Sequence, residues 1–334
     1  MKAFVTGGTG LLGSNLVRLL LRQGFEVTAL VRDTQKAQQQ LQANPALTLI
    51  QGDLHNISGF SSHLAGCDML FHTASYCRET FEAGDHWGHL KAVNVDGTIA
   101  LLEAAQKAGV TRAVYISSAT ACVGIIRGGA PSNEATPPEP AYQKNPFLKS
   151  KVMAEAAIAD FLKAHQDLSV VMILPGSIVG PGDAAPTEMG RFIINVLKGK
   201  MPFIFSGGFP IVDVRDLAEA TLSAVTLGQS GERYILVGGY YSVGEIMRTL
   251  AETSGATIPK LWLPAFAVRL WTFFVNSLGR SKRKPLLPGA MAQVMLSGQW
   301  FDSTKAMKTL QASFRPLQET LQDTAQWYRQ NGYL

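Results

Sequence analysis

Cysteine is scarce in this sequence, and the few cysteines present are not spaced for a bridge or a metal site. The 334 residues include only Cys67, Cys77 and Cys122, an odd number without a CxxC pair. This pattern argues against a disulfide framework and against a structural zinc site. His86 and His89 have the spacing of one helix face, but no third ligand accompanies them, so no metal is predicted. A reducing, cytoplasmic environment is the expectation.

Long apolar runs are also missing. The most membrane-like stretch, residues 261–278, is interrupted by Pro264, Arg269 and Asn276, so no transmembrane segment is predicted. Its aromatic side chains leave two other interpretations open. The stretch is either an interfacial helix that makes peripheral membrane contact or an apolar lid over a substrate.

Charge is low and unevenly placed. Asp, Glu, Lys and Arg make up 16% of the chain, and the net charge is +5. Four positive charges come from one short stretch, at Arg280, Lys282, Arg283 and Lys284. A nucleic-acid partner is therefore not predicted. The stretch indicates a solvated loop, with an anionic substrate or a membrane surface as the functional alternative.

Apolar residues and glycine are abundant, at 46% and 32 residues, and their arrangement is typical of an α/β protein. Short β-branched runs alternate with helical patterns through the first half of the chain. The runs lie at 2–6, 26–32, 47–51, 69–72, 113–117 and 169–174, and the helical patterns at 12–23, 35–42, 89–108 and 147–164. This alternation predicts βαβ units with right-handed crossovers, and hence a doubly wound parallel sheet of the Rossmann type.

The rhythm changes after Pro175, where loops rich in Gly and Pro begin. We interpret residues 1–175 as a dinucleotide-binding domain and residues 176–334 as a smaller substrate-binding lobe. The helical pattern at 213–227 has an acidic first turn and a Leu/Ala stripe, which is typical of a helix packed on a sheet. We therefore expect residues 211–237 to return to the first domain.

A glycine-rich string follows the first predicted strand and opens the first helix. It reads Thr6-Gly7-Gly8-Thr9-Gly10-Leu11-Leu12-Gly13. Gly7 permits a sharp turn, Gly10 permits close approach of a pyrophosphate, and Gly13 permits close packing of the helix. No GKS or GKT follows, which excludes a P-loop. The order of strand, glycines and helix predicts dinucleotide binding.

The residue at the end of the second strand indicates which dinucleotide is preferred. An NAD enzyme places a carboxylate there to hold the ribose hydroxyls, whereas this chain has Arg32. A guanidinium can hold the 2′-phosphate of NADP(H), with Lys36 assisting. Because Asp33 follows directly, NAD(H) stays an alternative to the preferred NADP(H).

Together these motifs resemble the extended, atypical branch of the short-chain dehydrogenase/reductases, which includes dihydroflavonol-reductase-like, 3β-hydroxysteroid-dehydrogenase-like and nucleotide-sugar-epimerase-like proteins. The resemblance runs nearly end to end. Besides the glycine loop it rests on GDL at 52–54, HTA at 72–74, NVDGT at 94–98, SSAT at 117–120, PGSIVGPGD at 175–183 and VDVRD at 212–216. Taken together and in order, these motifs are specific.

The resemblance implies a set of cofactor-binding residues. Asp53 would receive the adenine amino group, Leu54 would line that pocket, and Asn94 would lie near the active-site helix. The resemblance implies further cofactor contacts for two short segments near strand ends. One consists of Thr73, Ala74 and Ser75, and the other of Pro175, Gly176, Ser177 and Ile178. Pro175 and Ser177 would lie against the nicotinamide.

The family's chemistry uses a Ser, a Tyr and a Lys four residues after the Tyr. The resemblance assigns the lysine to Lys151 and the orienting hydroxyl to Ser118, with Thr120 as the alternative. Phe147 occupies the tyrosine position, and its ring cannot donate a proton.

Three explanations for Phe147 remain open. Tyr142 is the acid through a shifted helix start, or another group such as Tyr76, His72 or a water held by Ser118 delivers the proton. Otherwise the chain binds cofactor without turnover, as a sensor or scaffold.

The second lobe is rich in Met, Phe, Tyr and Trp, which favours a small hydrophobic ketone or alcohol as substrate. Arg191 and Arg215 support the alternative, because they are suited to the diphosphate of a nucleotide sugar. The predicted function is that of an NADP(H)-dependent oxidoreductase, with a nucleotide-sugar epimerase or dehydratase as the alternative. The resemblance also implies a homodimer formed through the helices predicted at 89–108 and 147–164.

Overall fold

The computed structural model describes residues 1–77, 84–126, 129–270 and 289–334. The basic stretch at 280–284 and the aromatic residues Trp271, Phe273 and Phe274 lie outside these ranges. The strands are β1 (Lys2–Thr6), β2 (Glu26–Val31), β3 (Leu47–Gln51), β4 (Met69–His72), β5 (Arg112–Ile116), β6 (Ser169–Pro175), β7 (Ser177–Val179), β8 (Ile204–Phe205), β9 (Gly208–Asp213), β10 (Arg233–Leu236), β11 (Gly239–Ser242) and β12 (Trp262–Leu263).

The α-helices flank these strands. They are α1 (Leu11–Arg22), α2 (Thr34–Leu41), α3 (Trp87–Leu90), α4 (Gly97–Lys107), α5 (Ala119–Cys122), α6 (Pro146–Ala164), α7 (Glu188–Leu197), α8 (Val214–Leu227), α9 (Val243–Ser254), and three further helices at Gly289–Ser297, Thr304–Thr309 and Leu317–Gln330. Short 3₁₀ helices lie at Ile57–Gly59, Ser61–Leu64 and Pro140–Lys144, and a π-helix at Lys91–Asp96.

Seven strands form the central sheet in the order β10-β6-β5-β4-β1-β2-β3, and all of them are parallel. The predicted doubly wound Rossmann fold is therefore confirmed. The strand order reverses between β1 and β4, and such a switch point is where this architecture binds ligands. A three-stranded sheet (β11-β9-β7) and a two-stranded sheet (β12-β8) complete the second lobe.

Both faces of the central sheet are covered because its strands are apolar on both sides. Phe4 belongs to the core that contains Leu101 of α4 and Ile158 of α6. The next residue, Val5, belongs to the opposite core, with side chains of α1 and α8. Successive side chains of a strand point to opposite faces, so the continuous apolar runs build two cores at once. A third core lies within the second lobe.

The segment 211–237 runs alongside the first domain. Helix α8 packs against α1, and β10 extends the central sheet by pairing with β6. Asp213 caps α8 by accepting a hydrogen bond from the backbone N–H of Arg215 at 2.8 Å.

The long helix predicted at 89–108 is divided into α3, the π-helix and α4. A Cβ at Gly97 would lie 2.9 Å from the carbonyl oxygen of Leu54, so α4 starts in tight contact with the loop after β3. The π-helix lies directly before this contact in the sequence and contains Asn94. Single π turns of this kind are frequent at functional sites.

No helix among the described residues is both long and apolar enough to cross a bilayer. Within the same part of the chain, no group of three or more His, Cys, Asp or Glu side chains is arranged to hold a metal ion.

Candidate functional site

The loop between β1 and α1 is held tightly by its glycines. Gly7 has a φ of +70°, in the left-handed region that favours glycine. The backbone N–H of Gly10 donates to the Gly7 carbonyl over 2.8 Å. A Cβ at Gly13 would lie 2.1 Å from the same carbonyl oxygen, so only glycine permits this packing. The three glycines thus bring the first turn of α1 to the end of β1.

The N-terminus of α1 opens onto a cleft. No side chain caps the helix at Gly10, so the N–H groups of its first turn, at Leu11 and Leu12, have no side-chain partner at the cap. Among the described residues, a Cβ at Gly10 would approach only the Gly7 carbonyl oxygen, at 3.3 Å. Gly7 and Gly10 line a cleft of about 1520 Å³. Free N–H groups, a helix dipole and open space fit a pyrophosphate.

Cations line the next part of this cleft. Arg32 follows β2 directly and lines the cleft together with Lys36. Asp33 caps α2 by accepting a hydrogen bond from the backbone N–H of Lys36 at 3.0 Å. This bond holds the pKa of the Asp33 carboxyl below its usual value. The one carboxylate beside Arg32 in the sequence is therefore engaged by a helix terminus.

Asp53 and Leu54 line the cleft beyond β3. The Asp53 carboxylate accepts a hydrogen bond from the backbone N–H of His55 at 2.9 Å and contacts the His55 ring Nδ1 at 2.8 Å. The ring of His55 meets that of His89 edge-on, with centroids 5.7 Å apart, and His89 also lines the cleft. His89 was noted in the sequence only with His86, as a pair on one helix face. His55 lies in the loop after β3 and His89 in α3, so only the fold brings these two rings together.

The loop after β4 lies against the glycine loop. The Thr73 hydroxyl donates to the Thr6 carbonyl over 2.7 Å, and the backbone N–H of Ala74 donates to the Thr6 hydroxyl over 3.2 Å. Thr73, Ala74 and Ser75 all line the cleft, whereas Thr6 is fully buried behind it. The two loops at the switch point are thus joined by hydrogen bonds.

Asn94 links the β4 loop to α6. Its amide nitrogen donates to the Tyr76 carbonyl and to the Ser150 hydroxyl, each over 3.0 Å. Its amide oxygen accepts from the Tyr76 N–H at 2.8 Å and from the Ser75 hydroxyl at 3.3 Å. Asn94 is buried and does not line the cleft. In this structure its side chain positions other residues of the site.

Lys151 lies inside α6, directed toward the end of β5. Its Nζ donates to the Ile116 carbonyl over 2.8 Å and to the Tyr115 hydroxyl over 3.3 Å. The side chain is buried, and this burial lowers the pKa of its amine to about 8. Burial also raises the pKa of the Tyr115 hydroxyl. The amine of Lys151 therefore loses its charge at a lower pH than an exposed lysine does.

Phe147, Ser118 and Thr120 lie on the elements that hold Lys151. Phe147 is one turn before Lys151 on α6, which starts at Pro146 with Asn145 as its cap. Ser118 and Thr120 follow β5, and their hydroxyl oxygens are 3.0 Å apart. None of Ser118, Thr120, Phe147 and Lys151 lines the cleft formed beside Gly7 and Gly10.

The structure distinguishes the other candidate proton donors. Tyr142 lies in the 3₁₀ helix Pro140–Lys144, outside α6. His72 is buried, its ring nitrogens contact the Thr6 and Thr98 hydroxyls at 2.8 and 3.0 Å, and burial lowers its pKa to about 3. His72 is therefore neutral and inaccessible. Tyr76 lines the cleft, with its hydroxyl 3.1 Å from Nδ1 of His86.

An ion-paired network anchors the end of β5 to α6, and the sequence reasoning missed it. Glu155 accepts a hydrogen bond from the Ser117 hydroxyl and pairs with Nε of Arg233 on β10 at 2.9 Å. Glu155 lies four residues after Lys151, so the two share a helix face. That spacing was the available signal. The network fixes the segment that carries Ser118.

The segment after β6 does not face the cleft as the resemblance implied. Pro175 ends β6, and Ser177 and Ile178 belong to β7. A Cβ at Gly176 would lie 2.5 Å from the Pro210 carbonyl, which shows how closely this segment packs on β9. None of these four residues lines the cleft, and this part of the chain enters it only from Pro181 onward.

The second lobe contributes two arginines to the cleft, and carboxylates pair with both. Arg215 forms ion pairs with Asp213 at 2.7 Å and with Asp323 at 2.5 Å, and Arg191 pairs with Glu188. Several apolar side chains of the lobe are packed in its core, among them Met189, Phe192, Met201 and Phe205.

A parallel sheet with a glycine-rich loop at its switch point defines a dinucleotide-binding protein of the Rossmann type. The family described as the NAD dependent epimerase/dehydratase family matches residues 3–238. The chain belongs to this family, within the extended short-chain dehydrogenase/reductases. The members of this family bind a nicotinamide cofactor.

Individual relatives match over most of the chain. The sterol demethylase protein B of Methylococcus capsulatus is 32% identical and covers 100% of both chains. The 4-hydroxy-2-methyl-3-oxo-4-farnesyl-3,4-dihydroquinoline-1-oxide ketoreductase of Stigmatella aurantiaca is 31% identical over 88% of this chain and 84% of its own. The crystal structure of gox2253 superposes with a TM-score of 0.83 at 29% identity, covering 99% of each chain.

Proposed function

We propose that this chain is an NADP(H)-dependent oxidoreductase that interconverts a hydrophobic ketone and its alcohol, slowed by the phenyl ring at Phe147. The observation that carries the proposal is the arrangement of Lys151 and Ser118 at the carboxyl end of β5, in a fold whose glycine loop opens onto a long cleft. The resemblance assigns these two residues to the lysine and the orienting hydroxyl of the family's chemistry, which supports the proposal.

The cofactor supplies a hydride to the substrate carbonyl when it is bound. The glycine loop would hold its pyrophosphate, and Asp53 and Leu54 its adenine. The preference for NADP(H) rests on Arg32 and Lys36, which both line the cleft, and on Asp33, whose carboxylate caps α2. Arg32, next to a carboxylate that caps α2, favours a 2′-phosphate over a free ribose hydroxyl pair, and Lys36, whose Nζ pairs with Asp33 at 3.4 Å, would assist it.

The proton has to come from a group other than residue 147. We assign it to a water molecule held by the Ser118 hydroxyl, with the buried Lys151 ammonium as the source of positive charge beside it. Such a water is a weaker acid than a tyrosine tuned by lysine, so the reaction is expected to be slow. Phe147 keeps the ring that shapes the site and removes only the hydroxyl.

The apolar substrate is favoured by the state of the two cleft arginines. Arg215 and Arg191 are neutralised by Asp213, Asp323 and Glu188, so a diphosphate would compete with carboxylates for both guanidinium groups. Two relatives are named for a sterol reaction and for reduction of a farnesylated ketone. A prenylated or steroidal ketone is therefore the substrate class that we propose.

The test is transfer of deuterium from NADPH labelled at its transferable position to a steroid ketone and to a prenylated quinoline ketone, with UDP-glucose in a parallel reaction. Label in the product alcohol supports the proposal. Binding and turnover of UDP-glucose alone would support the epimerase alternative. If the parent binds NADPH tightly without transferring label, and label transfer appears only in Phe147→Tyr, the result would support a cofactor-binding sensor instead.

A further inference from the structure

A cluster of exposed apolar side chains stands out on the second lobe. Ten large apolar side chains are exposed in the described residues, and four of them lie within ten consecutive positions. These four are Leu261 (66% exposed), Trp262 (55%), Phe266 (69%) and Leu270 (54%). We call residues 260–270 the apolar ledge. Contiguous apolar surface of this kind marks an interaction site more often than isolated exposed residues do.

The ledge is held in place by contacts to the lobe. Strand β12 pairs with β8, and the indole N–H of Trp262 donates to the Ser206 hydroxyl over 2.8 Å. Val268 is fully buried in the core of the lobe. Phe266 and Leu270, one helical turn apart, are exposed while Val268 between them is buried. The backbone of the ledge is thus held so that Phe266 and Leu270 point to solvent while Val268 points to the core.

The sequence that runs through and beyond the ledge carries charge of one sign. No Asp or Glu occurs between Glu252 and Asp302, whereas this stretch contains six Lys and Arg residues. Two of them, Lys260 and Arg269, belong to the ledge and are exposed. The surface of an ordinary protein partner carries charges of both signs, so part of it would repel the cations of this face. A second copy of this chain would bring its own cations against these cations.

We propose that the apolar ledge docks on an anionic lipid surface, with Leu261, Trp262, Phe266 and Leu270 entering the headgroup region and Lys260 and Arg269 facing lipid phosphates. Aromatic and aliphatic side chains beside Lys and Arg, without acidic residues, are the composition that interfacial segments use. Apolar burial and attraction to anionic headgroups act together, so neither suffices alone.

The experiment is flotation of the full chain with vesicles of phosphatidylcholine alone and with vesicles containing phosphatidylglycerol. We expect the chain to float with the anionic vesicles and to stay behind with the neutral ones. Leu261→Ser combined with Phe266→Ser is expected to weaken association by about tenfold or more, since two exposed apolar anchors are removed. Lys260→Glu should weaken binding to anionic vesicles only.

Matched controls separate the ledge from general stickiness. Leu227→Ser with Met307→Ser removes two exposed apolar side chains elsewhere, and Lys308→Glu reverses a distant exposed charge; both should float like the parent. Circular dichroism verifies the fold of each variant. Absence of flotation, or equal flotation of ledge and control variants, would overturn the proposal. Concentration-dependent self-association that the ledge variants abolish, without lipid binding, would assign the face to a second copy and overturn it too.

Discussion

Lys151 donates a hydrogen bond from its Nζ to the carbonyl oxygen of Ile116 over 2.8 Å, which ties the second turn of α6 to the end of β5. The ammonium is thereby held beside the segment that carries Ser118, even though the residue one turn earlier on α6 is Phe147. In our proposal Lys151 is the lysine of the usual Tyr and Lys pair, and Phe147 lacks the phenolic hydroxyl of that pair.

Restoring that hydroxyl should raise the rate. Phe147→Tyr adds one oxygen next to Lys151, and a positioned general acid contributes roughly 10² to 10⁴-fold to a proton transfer. We expect kcat for ketone reduction to rise by about 10²-fold, with a much smaller change in KM. Stopped-flow measurement of NADPH oxidation checks this, with Tyr142→Phe and Tyr76→Phe as controls that should leave the parental rate unchanged. A rate lost in either control would identify that phenol as the donor.

The charge on Lys151 should appear in the pH profile. Burial lowers the pKa of its amine from 10.5 to about 8, so the amine is charged below that pH and neutral above it. Reduction consumes a proton, and we therefore expect kcat to fall as the pH rises through about 8. Lys151→Met should be slow at every pH and lack this limb. A parental profile that stays flat through pH 8 would contradict the role given to the ammonium.

The glycine loop offers a matched pair of substitutions. Gly10→Ala places a methyl group toward the cleft, where Gly7 O at 3.3 Å is its close neighbour, so the fold should tolerate it. We expect NADPH affinity to fall by about tenfold, roughly 1.4 kcal/mol, with little change in Tm. Gly13→Ala brings a Cβ within 2.1 Å of the Gly7 carbonyl and should lower the stability by about 1 to 3 kcal/mol or more. Calorimetric titration and thermal unfolding separate the two effects, and unchanged affinity in Gly10→Ala would refute the pyrophosphate site.

Arg32 is expected to select the phosphorylated cofactor. Arg32→Asp removes a charge-assisted phosphate contact and should weaken NADPH binding by one to two orders of magnitude, about 1.5 to 3 kcal/mol. NADH affinity should stay the same or improve, because a carboxylate suits the ribose hydroxyls. Lys308→Asp, at an exposed position on the helix Thr304–Thr309, is the control for net charge. Equal affinity of the parent for NADH and NADPH would show that Arg32 does not discriminate.

The first half of the fold was predictable because its signals are local. The β-branched runs at 2–6, 47–51 and 69–72 became strands with the predicted bounds, and β2 and β5 differ by one residue at their ends. Asn145 and Pro146 mark the start of α6 directly in the sequence. The interruption of the helix at 89–108 was not predictable, since it arises where Gly97 meets the loop after β3.

The ion pairs and hydrogen bonds of the charged side chains at the site join residues that are far apart in the sequence, so the spacing of motifs could not predict them. Arg215 was expected to be available for a diphosphate, yet Asp323, 108 residues away, pairs with it. Lys151 was assigned by resemblance, whereas its bond to Tyr115 follows from the packing of α6 on β5. Phe192 and Phe205 are core residues, and the aromatic composition of the lobe could not show which of its side chains line a pocket.

His72 should make the stability of the fold depend on pH. Burial lowers its pKa from 6.5 to about 3, so the folded chain keeps this ring neutral where the unfolded chain begins to protonate it. The unfolded state then binds more protons, and the free energy of unfolding must fall as the pH drops below about 6.5, approaching roughly 1.4 kcal/mol per pH unit from this residue alone. Denaturant titrations at several pH values above the pKa range of the carboxylates measure this slope of the unfolding free energy against pH. His72→Asn should lose most of the slope, whereas His63→Asn, at an exposed position, should retain it. Parallel slopes in the parent and in His72→Asn would mean that the buried ring is not the group that senses acid.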